Sequence, residues 1–277
     1  MCPIGIMQGR LVPPIGGRIQ CFPRERWEEE FPLAVEAKIE CIELTYDVYG
    51  ADAHPLATDL AMARMKALSG QFDVEVRSLC ADYFMEEPLV RATPAQLDAR
   101  LEALDWLMHR CALAGVSRLV LPFVDASRIE TDTEFDGVCG ALERALSMAE
   151  RTAVEVHLET SLTPDRFARL LSRLPHPMLK VNYDSGNSAS LGYHPAEEFA
   201  AYGPRVGSVH IKDRMLGGST VPLGTGNADF GALSHCLKEI GYTGDFILQV
   251  ARGTPGQEVA WAEQNRIFVK RHIMAQE

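Results

Sequence analysis

Short apolar runs alternate with longer stretches of helical periodicity along the whole chain. Eight such runs predict strands, at Pro3–Gln8, Glu40–Leu44, Val74–Cys80, Arg118–Phe123, Val154–Glu159, Leu179–Asp184, Val206–Lys212 and Asp245–Val250. The stretches between them carry apolar residues at spacings of three and four. They predict helices most clearly at Gln96–Ala114, Phe135–Ala149, Phe230–Ile240 and Gln257–Met274. This alternation indicates parallel strands joined by crossover helices.

Two α/β architectures contain such repeated units, the closed eight-stranded barrel and the open doubly wound sheet. The barrel is favoured because the chain carries eight strand–helix units and no GxGxxG motif after its first strand. Polar residues also gather at the carboxyl ends of several different strands, where a barrel builds its site. We therefore predict a TIM (β/α)8 barrel, formed as a single domain by residues 1–277.

Composition and charge exclude several classes of partner. The chain has 27 basic and 38 acidic residues and a net charge of −11, which opposes attraction to nucleic acid. No apolar stretch approaches the roughly 18 residues that a membrane span needs. The N-terminus lacks the pattern of a signal peptide, and the seven cysteines form no CxxC pair. We expect a cytoplasmic protein with no membrane partner and no structural disulfide.

The segment that follows the first predicted strand, Gly9–Arg26, is long and rich in glycine and proline. Loops of this length in compact domains are commonly lids or binding loops. We expect this first loop to cover part of the barrel mouth and to bring Gln8 or Arg10 close to the ligand. The alternative is a surface insertion without a role in binding.

Four consecutive predicted strands end in polar residues on their inward-facing positions. Because side chains alternate along a strand, Glu159, Asp184 and His210 face the barrel interior, and Gln249 stands where the last strand ends. Oxygen and imidazole donors that meet in one barrel mouth form a mixed site for a divalent metal. Such a donor set accepts Mn²⁺, Co²⁺, Zn²⁺ or Mg²⁺, and we take one Mn²⁺ ion as the first expectation.

Several segments, spread over the whole chain, resemble the sugar phosphate isomerase/epimerase family of xylose-isomerase-like TIM barrels. They are Gly5–Leu11, Ile42–Leu44, Leu158–Thr160, Tyr183–Asn187, Val209–Arg214 and Pro222–Phe230. The resemblance implies a metal held by Glu, Asp, His and Glu after strands five to eight. The first three positions correspond to Glu159, Asp184 and His210, whereas the fourth is Gln249.

This difference bears on the reaction. In the family's ketose 3-epimerases the two Glu ligands also serve as opposed proton-transfer bases, and the amide of Gln249 takes no proton at neutral pH. Isomerisation of an aldose and a ketose through an enediolate needs only one base on one face. The sequence therefore predicts a metal-dependent sugar or sugar-phosphate isomerase with Glu159 and Lys212 as catalytic residues. Ketose 3-epimerase is the alternative, with Lys212 or a water in the second role.

The remaining polar residues near the strand ends are expected to bind substrate: Gln8, Arg10, Glu43, His157, Asn187 and Arg214. Three of them have a structural alternative. Glu43 fits equally a buried, paired carboxylate, His157 a support for Glu159, and Arg214 a salt bridge with Asp213 in the loop. The segment Gly224–Gly226 could present amides to a phosphate, and the alternative is an ordinary glycine-rich turn in which Asp229 is the N-cap of the helix that follows.

Two other classes of function remain open. A sugar-binding barrel without catalysis fits the loss of one carboxylate, because folds outlive their chemistry. The metal-dependent endonucleases for abasic DNA resemble the same strands, but they use additional His ligands from strands three and four. Here Ser78–Asp82 and Leu121–Asp125 contain none, and the net charge opposes DNA. The expected partner is a small sugar or sugar phosphate, and a homo-oligomer stays open.

Overall fold

A ring of eight parallel strands forms the centre of the protein in a computed structural model that describes residues 2–275. The strands, labelled β1 to β8 in chain order, are Ile4–Met7, Cys41–Thr45, Glu75–Cys80, Arg118–Phe123, Glu155–Thr160, Leu179–Asp184, Val206–Ile211 and Phe246–Leu248. Each pairs in parallel with its neighbours, and β1 pairs with both β2 and β8, so the sheet closes. The predicted (β/α)8 barrel is confirmed.

Ten α-helices, labelled α1 to α10, alternate with the strands within the described residues. They are Glu30–Glu36, Asp59–Phe72, Tyr83–Glu86, Pro94–Ala114, Asp132–Thr152, Pro164–Arg173, Ser185–Leu191, Pro195–Tyr202, Phe230–Glu239 and Glu258–His272. A short hairpin follows β7 and pairs Asp213–Arg214 with Thr220–Val221. Helix α5 is longer than its apolar pattern predicted, because Thr131 and Glu134 form a capping box that starts it earlier.

Strand β8 is shorter than predicted. Residues 245–250 were expected to be extended, but only Phe246–Leu248 pair with β1 and β7. Gln249 therefore lies just past the end of the strand, and its amide N–H still donates to the carbonyl of Ile211 at 3.0 Å. This contact fixes the backbone of Gln249 against the end of β7.

Side-chain alternation divides the core into two regions. Val156 and Leu158 pack outwards against the helices in the large apolar cluster, as predicted. A smaller apolar cluster fills the barrel interior and consists of Met7, Cys41, Cys80, Val120 and Ile247. All seven cysteines are free thiols, and two of them serve as small residues of this interior layer. No helix within residues 2–275 combines the length and the apolar character required to cross a bilayer.

A buried ion pair crosses the barrel at the amino ends of the strands. Arg118 opens β4, and Asp245 directly precedes β8, on the opposite side of the ring. The Arg118 Nη2 atom lies 2.6 Å and 2.5 Å from the two carboxylate oxygens of Asp245. The Asp245 side chain is 1% exposed, so its charge is balanced inside the protein. The pair links two strands that do not touch.

Candidate active site

A cavity of about 310 Å³ opens at the carboxyl ends of the strands. The loops after the strands surround it, as the barrel fold requires for a site. Six of the residues predicted for the site line this mouth cavity: Arg10, Glu159, Asn187, Lys212, Arg214 and Gln249. Most of the residues predicted for the site therefore lie at the carboxyl end of the barrel, as expected.

Three potential metal ligands converge at the base of the mouth cavity. Glu159, Asp184 and His210 each offer a ligand atom, and these three atoms lie within 4.8 Å of one another. All three residues are buried. They come from neighbouring strands β5, β6 and β7, so the ladder itself holds them together. Two carboxylates and one imidazole at this spacing are a donor set that divalent ions accept.

The imidazole of His210 is oriented from across the barrel. Its Nε2 lies 2.7 Å from Oε1 of Glu43 at the middle of β2, and both side chains are completely buried. Burial alone would lower the pKa of His210, but the carboxylates of Glu43 and Glu159 outweigh it and raise the pKa to about 10. With Glu43 engaging Nε2, the Nδ1 atom makes no hydrogen bond and lies 3.3 Å from Oε2 of Glu159. A divalent ion would replace the proton on Nδ1 between the imidazole and the carboxylates of Glu159 and Asp184, so this nitrogen fits a metal ligand.

Two amides hold the Glu159 carboxylate in place. Asn182 donates to Oε2 at 2.9 Å and Asn187 donates to Oε1 at 2.6 Å. Asn182 in turn accepts from Ser208, whose hydroxyl lies 2.8 Å from Nδ1 of His157. This chain of hydrogen bonds runs down the barrel interior, so the carboxylate is preorganised while it remains in contact with the mouth cavity.

Lys212 places its ammonium group between two of the predicted ligands. Its Nζ donates to Oδ2 of Asp184 at 3.2 Å and to Oε1 of Gln249 at 2.8 Å. Gly186 allows this path, because a Cβ there would lie 2.6 Å from Cγ of Lys212. The oxygen of Gln249 that was expected to bind the metal thus binds a cationic side chain instead. Asp184 shares this contact with Lys212, so the role of Gln249 as a fourth ligand stays a prediction.

Three residues predicted to bind substrate lie outside the mouth cavity. Gln8 is 1% exposed, and its Oε1 accepts from the backbone N–H of Thr45 at 3.1 Å, which joins β1 to β2. Glu43 binds His210, as its alternative interpretation proposed. His157 lies below Glu159 with Nε2 at 2.9 Å from the carboxylate of Glu155. All three are held by the barrel itself, which corrects their assignment as substrate contacts.

Asn187 and Arg214 line the mouth cavity, but they also bind each other. The Oδ1 atom of Asn187 accepts from Nη1 of Arg214 at 3.0 Å, while Nε and Nη2 of Arg214 donate to the carbonyl of Gly218. The expected salt bridge between Asp213 and Arg214 is absent from the ion pairs of residues 2–275. Arg214 instead presents a fixed guanidinium to the cavity.

The glycine-rich segment after the hairpin already holds an anion of this chain. The carboxylate of Asp213 accepts from the backbone N–H groups of Gly224, Gly226 and Ala228 at 2.9, 2.9 and 3.0 Å. A phosphate at Gly224–Gly226 would have to displace this buried carboxylate, so the structure argues against the expected phosphate site. Asp229 caps α9 through Ala232, as predicted.

The first loop folds over the mouth through Arg10 and Gln20. Arg10 donates to the carbonyl of Ile19, to Oε1 of Gln20 at 3.0 Å and to the carbonyl of Val250 at 3.1 Å. Burial and the nearby Arg252 lower the pKa of Arg10 to about 9. Arg10, Ile19 and Gln20 all line the mouth cavity. The loop lies where the sequence predicted it.

Sequence reasoning missed several residues that line the mouth cavity, among them Gln20 and Asp82. Gln20 was treated only as part of the loop, and Asp82 only as part of a strand end without histidine. Asp82 follows β3 as a polar residue after a buried strand, the same signal that identified Glu159 and Asp184. Gln20 has no comparable signal, because loop side chains have no fixed direction.

Shortening the first loop tests its role as a cover. Deleting Pro13–Gly17, which is exposed except for the half-buried Pro14, is expected to raise KM or lower kcat because the mouth then closes less well over the ligand. The thermal midpoint should stay nearly constant, since the deleted residues add nothing to the buried core. Steady-state kinetics and a thermal melt check both statements. Unchanged kinetics with a correctly folded variant would contradict the assigned role.

Comparison with known proteins agrees with this architecture. L-ribulose-5-phosphate 3-epimerase UlaE of Salmonella paratyphi A is 25% identical over 275 residues, which cover 94% of this chain and 95% of that protein. The structure of an L-ribulose 3-epimerase superposes with a TM-score of 0.77 at 16% identity, over 99% of this chain and 95% of that one.

A xylose isomerase-like TIM barrel protein from Mycobacterium smegmatis in complex with magnesium has a TM-score of 0.70 at 17% identity. The match covers 99% of this chain and 97% of that one. The family model described as xylose isomerase-like TIM barrel matches residues 31–272, which contain the carboxylate–histidine cluster and most of the mouth. The chain therefore belongs to the xylose isomerase-like TIM barrel family.

Proposed function

We propose that the chain is a divalent-metal-dependent isomerase that moves a proton on a sugar or sugar phosphate through an enediolate. One observation carries the proposal: Glu159 belongs to the buried ligand cluster and also lines the mouth cavity. A carboxylate in this position could hold a metal and face a substrate in the cavity at the same time. The magnesium of the relative from M. smegmatis supports a divalent ion, and Mn²⁺ remains our first expectation.

The protein's own side chains account for binding and proton transfer. A metal held by Glu159, Asp184 and His210 would polarise the carbonyl and hydroxyl oxygens of the sugar. Glu159 takes the proton from the carbon beside the carbonyl, while the amides of Asn182 and Asn187 keep its carboxylate aimed at the cavity. No protonated acid is needed for this first step.

Cationic groups on one side of the mouth cavity stabilise the negative charge that develops on the substrate. Lys212 is positioned by Asp184 and Gln249, and Arg214 is positioned by Asn187 and Gly218. Both present N–H donors to the cavity at fixed positions. Preorganised donors of this kind stabilise an enediolate and hold the hydroxyls or phosphate of a sugar.

Ketose 3-epimerase is the second candidate. It is favoured by the near full-length similarity to L-ribulose-5-phosphate 3-epimerase UlaE. It requires a second proton-transfer group, because Gln249 is an amide in the position where the resembling epimerases carry a carboxylate. Both candidates use Glu159 as the base, but on a ketose the isomerase moves a proton from C1 to C2, whereas the epimerase removes the proton of C3 and returns one to the opposite face of C3.

Deuterium incorporation distinguishes the two candidates. The metal-loaded protein is incubated in heavy water with L-ribulose 5-phosphate, L-ribulose or D-allulose, and the products are followed by NMR. Label at C1 of the ketose with formation of an aldose identifies the isomerase, whereas label at C3 with inversion identifies the epimerase. Prior removal of the metal with a chelator should abolish either reaction, and added Mn²⁺ should restore it. A protein that exchanges no carbon-bound proton of any of these sugars would contradict the proposal.

A further inference from the structure

Glu159 is not the only buried carboxylate that reaches the mouth cavity. Within residues 2–275, the carboxylates that line this cavity are Asp82, Asp125 and Glu159. Asp125 is exposed at the rim, whereas Asp82 is 7% exposed. Asp82 follows β3 and Glu159 is the last residue but one of β5, so the two approach the cavity from positions separated by strand β4. Pro122 of β4 lies between them and has no titratable group.

Hydrogen bonds connect Asp82 to the position where the second carboxylate is missing. Lys212 Nζ donates to Oε1 of Gln249 at 2.8 Å, and Nε2 of Gln249 donates to Oε1 of Gln20 at 3.0 Å. Nε2 of Gln20 then donates to Oδ2 of Asp82 at 2.5 Å. These bonds use both ends of the Gln249 amide and run across the mouth. Gln249 thus serves to orient Gln20, and Gln20 orients Asp82.

The surroundings of Asp82 allow it to hold and release a proton. Its Oδ1 accepts from the thiol of Cys80 at 3.2 Å. Burial raises the pKa of Asp82 to about 6, the donors Gln20 and Cys80 oppose the rise, and the charge of Glu159 adds to it. A carboxyl group that titrates near neutrality is suited to general acid–base work.

We propose that Asp82 is the second proton-transfer residue of this enzyme and takes the place of the carboxylate that Gln249 lacks. The inference rests on the proposed metal-assisted proton transfer and favours its second candidate, ketose 3-epimerase, over the isomerase, because a second group on another side of the substrate permits inversion at the carbon beside the carbonyl. It therefore assigns ketose epimerisation to the site, with Glu159 and Asp82 as the pair.

The proton balance of the step is complete without a further reactant. Glu159 removes the proton from the carbon, the electrons of the C–H bond form the C=C bond, and the carbonyl electrons move to oxygen. Protonated Asp82 then donates its proton to the same carbon from the other side. The C=C electrons form the new C–H bond, and the carbonyl is restored. Glu159 ends protonated and Asp82 ionised, and exchange with solvent returns both to their starting states.

The test compares two epimers of one ketose in the Asp82→Asn variant of the full, Mn²⁺-loaded protein. The probes are L-ribulose 5-phosphate, L-ribulose and D-allulose, each with its C3 epimer, in heavy water. Inversion should fall by about 10²- to 10⁴-fold. The epimer whose C3 proton faces Glu159 should still exchange it at close to the native rate, whereas the other epimer should not exchange. A structural defect would slow both epimers alike.

A matched control removes the same charge from the rim of the same cavity. Asp125→Asn keeps the backbone conformation, since Asn tolerates the positive φ of 49° at this residue. Its rates of inversion and exchange show how much of the loss in Asp82→Asn comes from removing a negative charge at the cavity. If Asp82→Asn folds poorly in a thermal melt, Asp82→Ser replaces it, because a hydroxyl can still accept from Gln20.

Each outcome decides one of the two proposals. Exchange of both epimers by Asp82→Asn at native rates, or equal loss for both, would overturn the role of Asp82 and leave the proposed function in place. If a Lys212 variant loses exchange of the second epimer while Asp82→Asn keeps it, the second proton transfer belongs to Lys212. Absence of exchange from every probe in the native protein would overturn the proposed function itself.

Discussion

Replacing Glu159 by Gln is expected to lower kcat by about 10²- to 10⁴-fold, the range for loss of a general base. The amide keeps an oxygen that can face the cluster of Asp184 and His210, but it cannot take the proton from the substrate. Metal affinity should therefore fall much less than turnover. Steady-state kinetics and titration of Mn²⁺ into the metal-free variant measure the two effects separately.

A shorter carboxylate provides the control for this change. Glu159→Asp retains the base and the charge but withdraws the oxygens from the amides of Asn182 and Asn187. Its kcat should lie between those of the native protein and Glu159→Gln. Retention of more than about a tenth of native turnover by Glu159→Gln would exclude Glu159 as the base, since it falls short of the smallest typical loss.

The largest expected effect on stability comes from Arg118→Met. This change leaves the carboxylate of Asp245 inside the barrel without its counter-charge, and breaking a buried ion pair on one side typically costs about 3–5 kcal/mol. Arg118 also donates to the hydroxyl of Ser78 at 3.2 Å, and that bond is lost as well. The free energy of unfolding from urea denaturation, at constant pH, measures the loss.

Removing both charges separates the ion pair from the packing. In the double variant Arg118→Met with Asp245→Leu, no unpaired charge remains, so most of the lost stability should return. The mouth is at the other end of the barrel, so kcat of the folded double variant should stay close to native. A loss below about 1 kcal/mol for the single variant would show that Asp245 is solvated or protonated instead of paired.

The alternation of strand and helix was sufficient to predict the barrel. A period of two places Glu159, Asp184 and His210 on the inward face of three neighbouring strands, and parallel pairing brings their carboxyl ends to one mouth. The predicted bounds of β4 and β6 coincide with the structure. Boundaries set by capping, such as the start of α5 at Asp132, were predicted less well, because a capping box lies outside the apolar pattern.

Partners across the ring could not be predicted in the same way. Glu43 and His210 are 167 positions apart and meet only because the closed sheet turns the side chains of β2 and β7 into one interior, with β1 and β8 between the two strands. The conformation of the first loop likewise decides that Gln20 joins Gln249 to Asp82. Neither contact can be recognised in the sequence, because the periodicity of apolar residues and the spacing of motifs each describe a single segment of the chain.

The sequence by itself therefore determined the fold, the end of the barrel that carries the site and the three clustered ligand candidates. Each follows from side-chain direction along a strand, which is a local property. The tertiary structure decided which polar groups already have partners. Gln8, Glu43 and His157 bind other residues of the barrel and do not line the mouth cavity. Asp213 accepts from the amides of the glycine-rich segment, and the oxygen of Gln249 accepts from Lys212. Hydrogen bonds of this kind depend on distances between remote segments, and only the folded chain sets those distances.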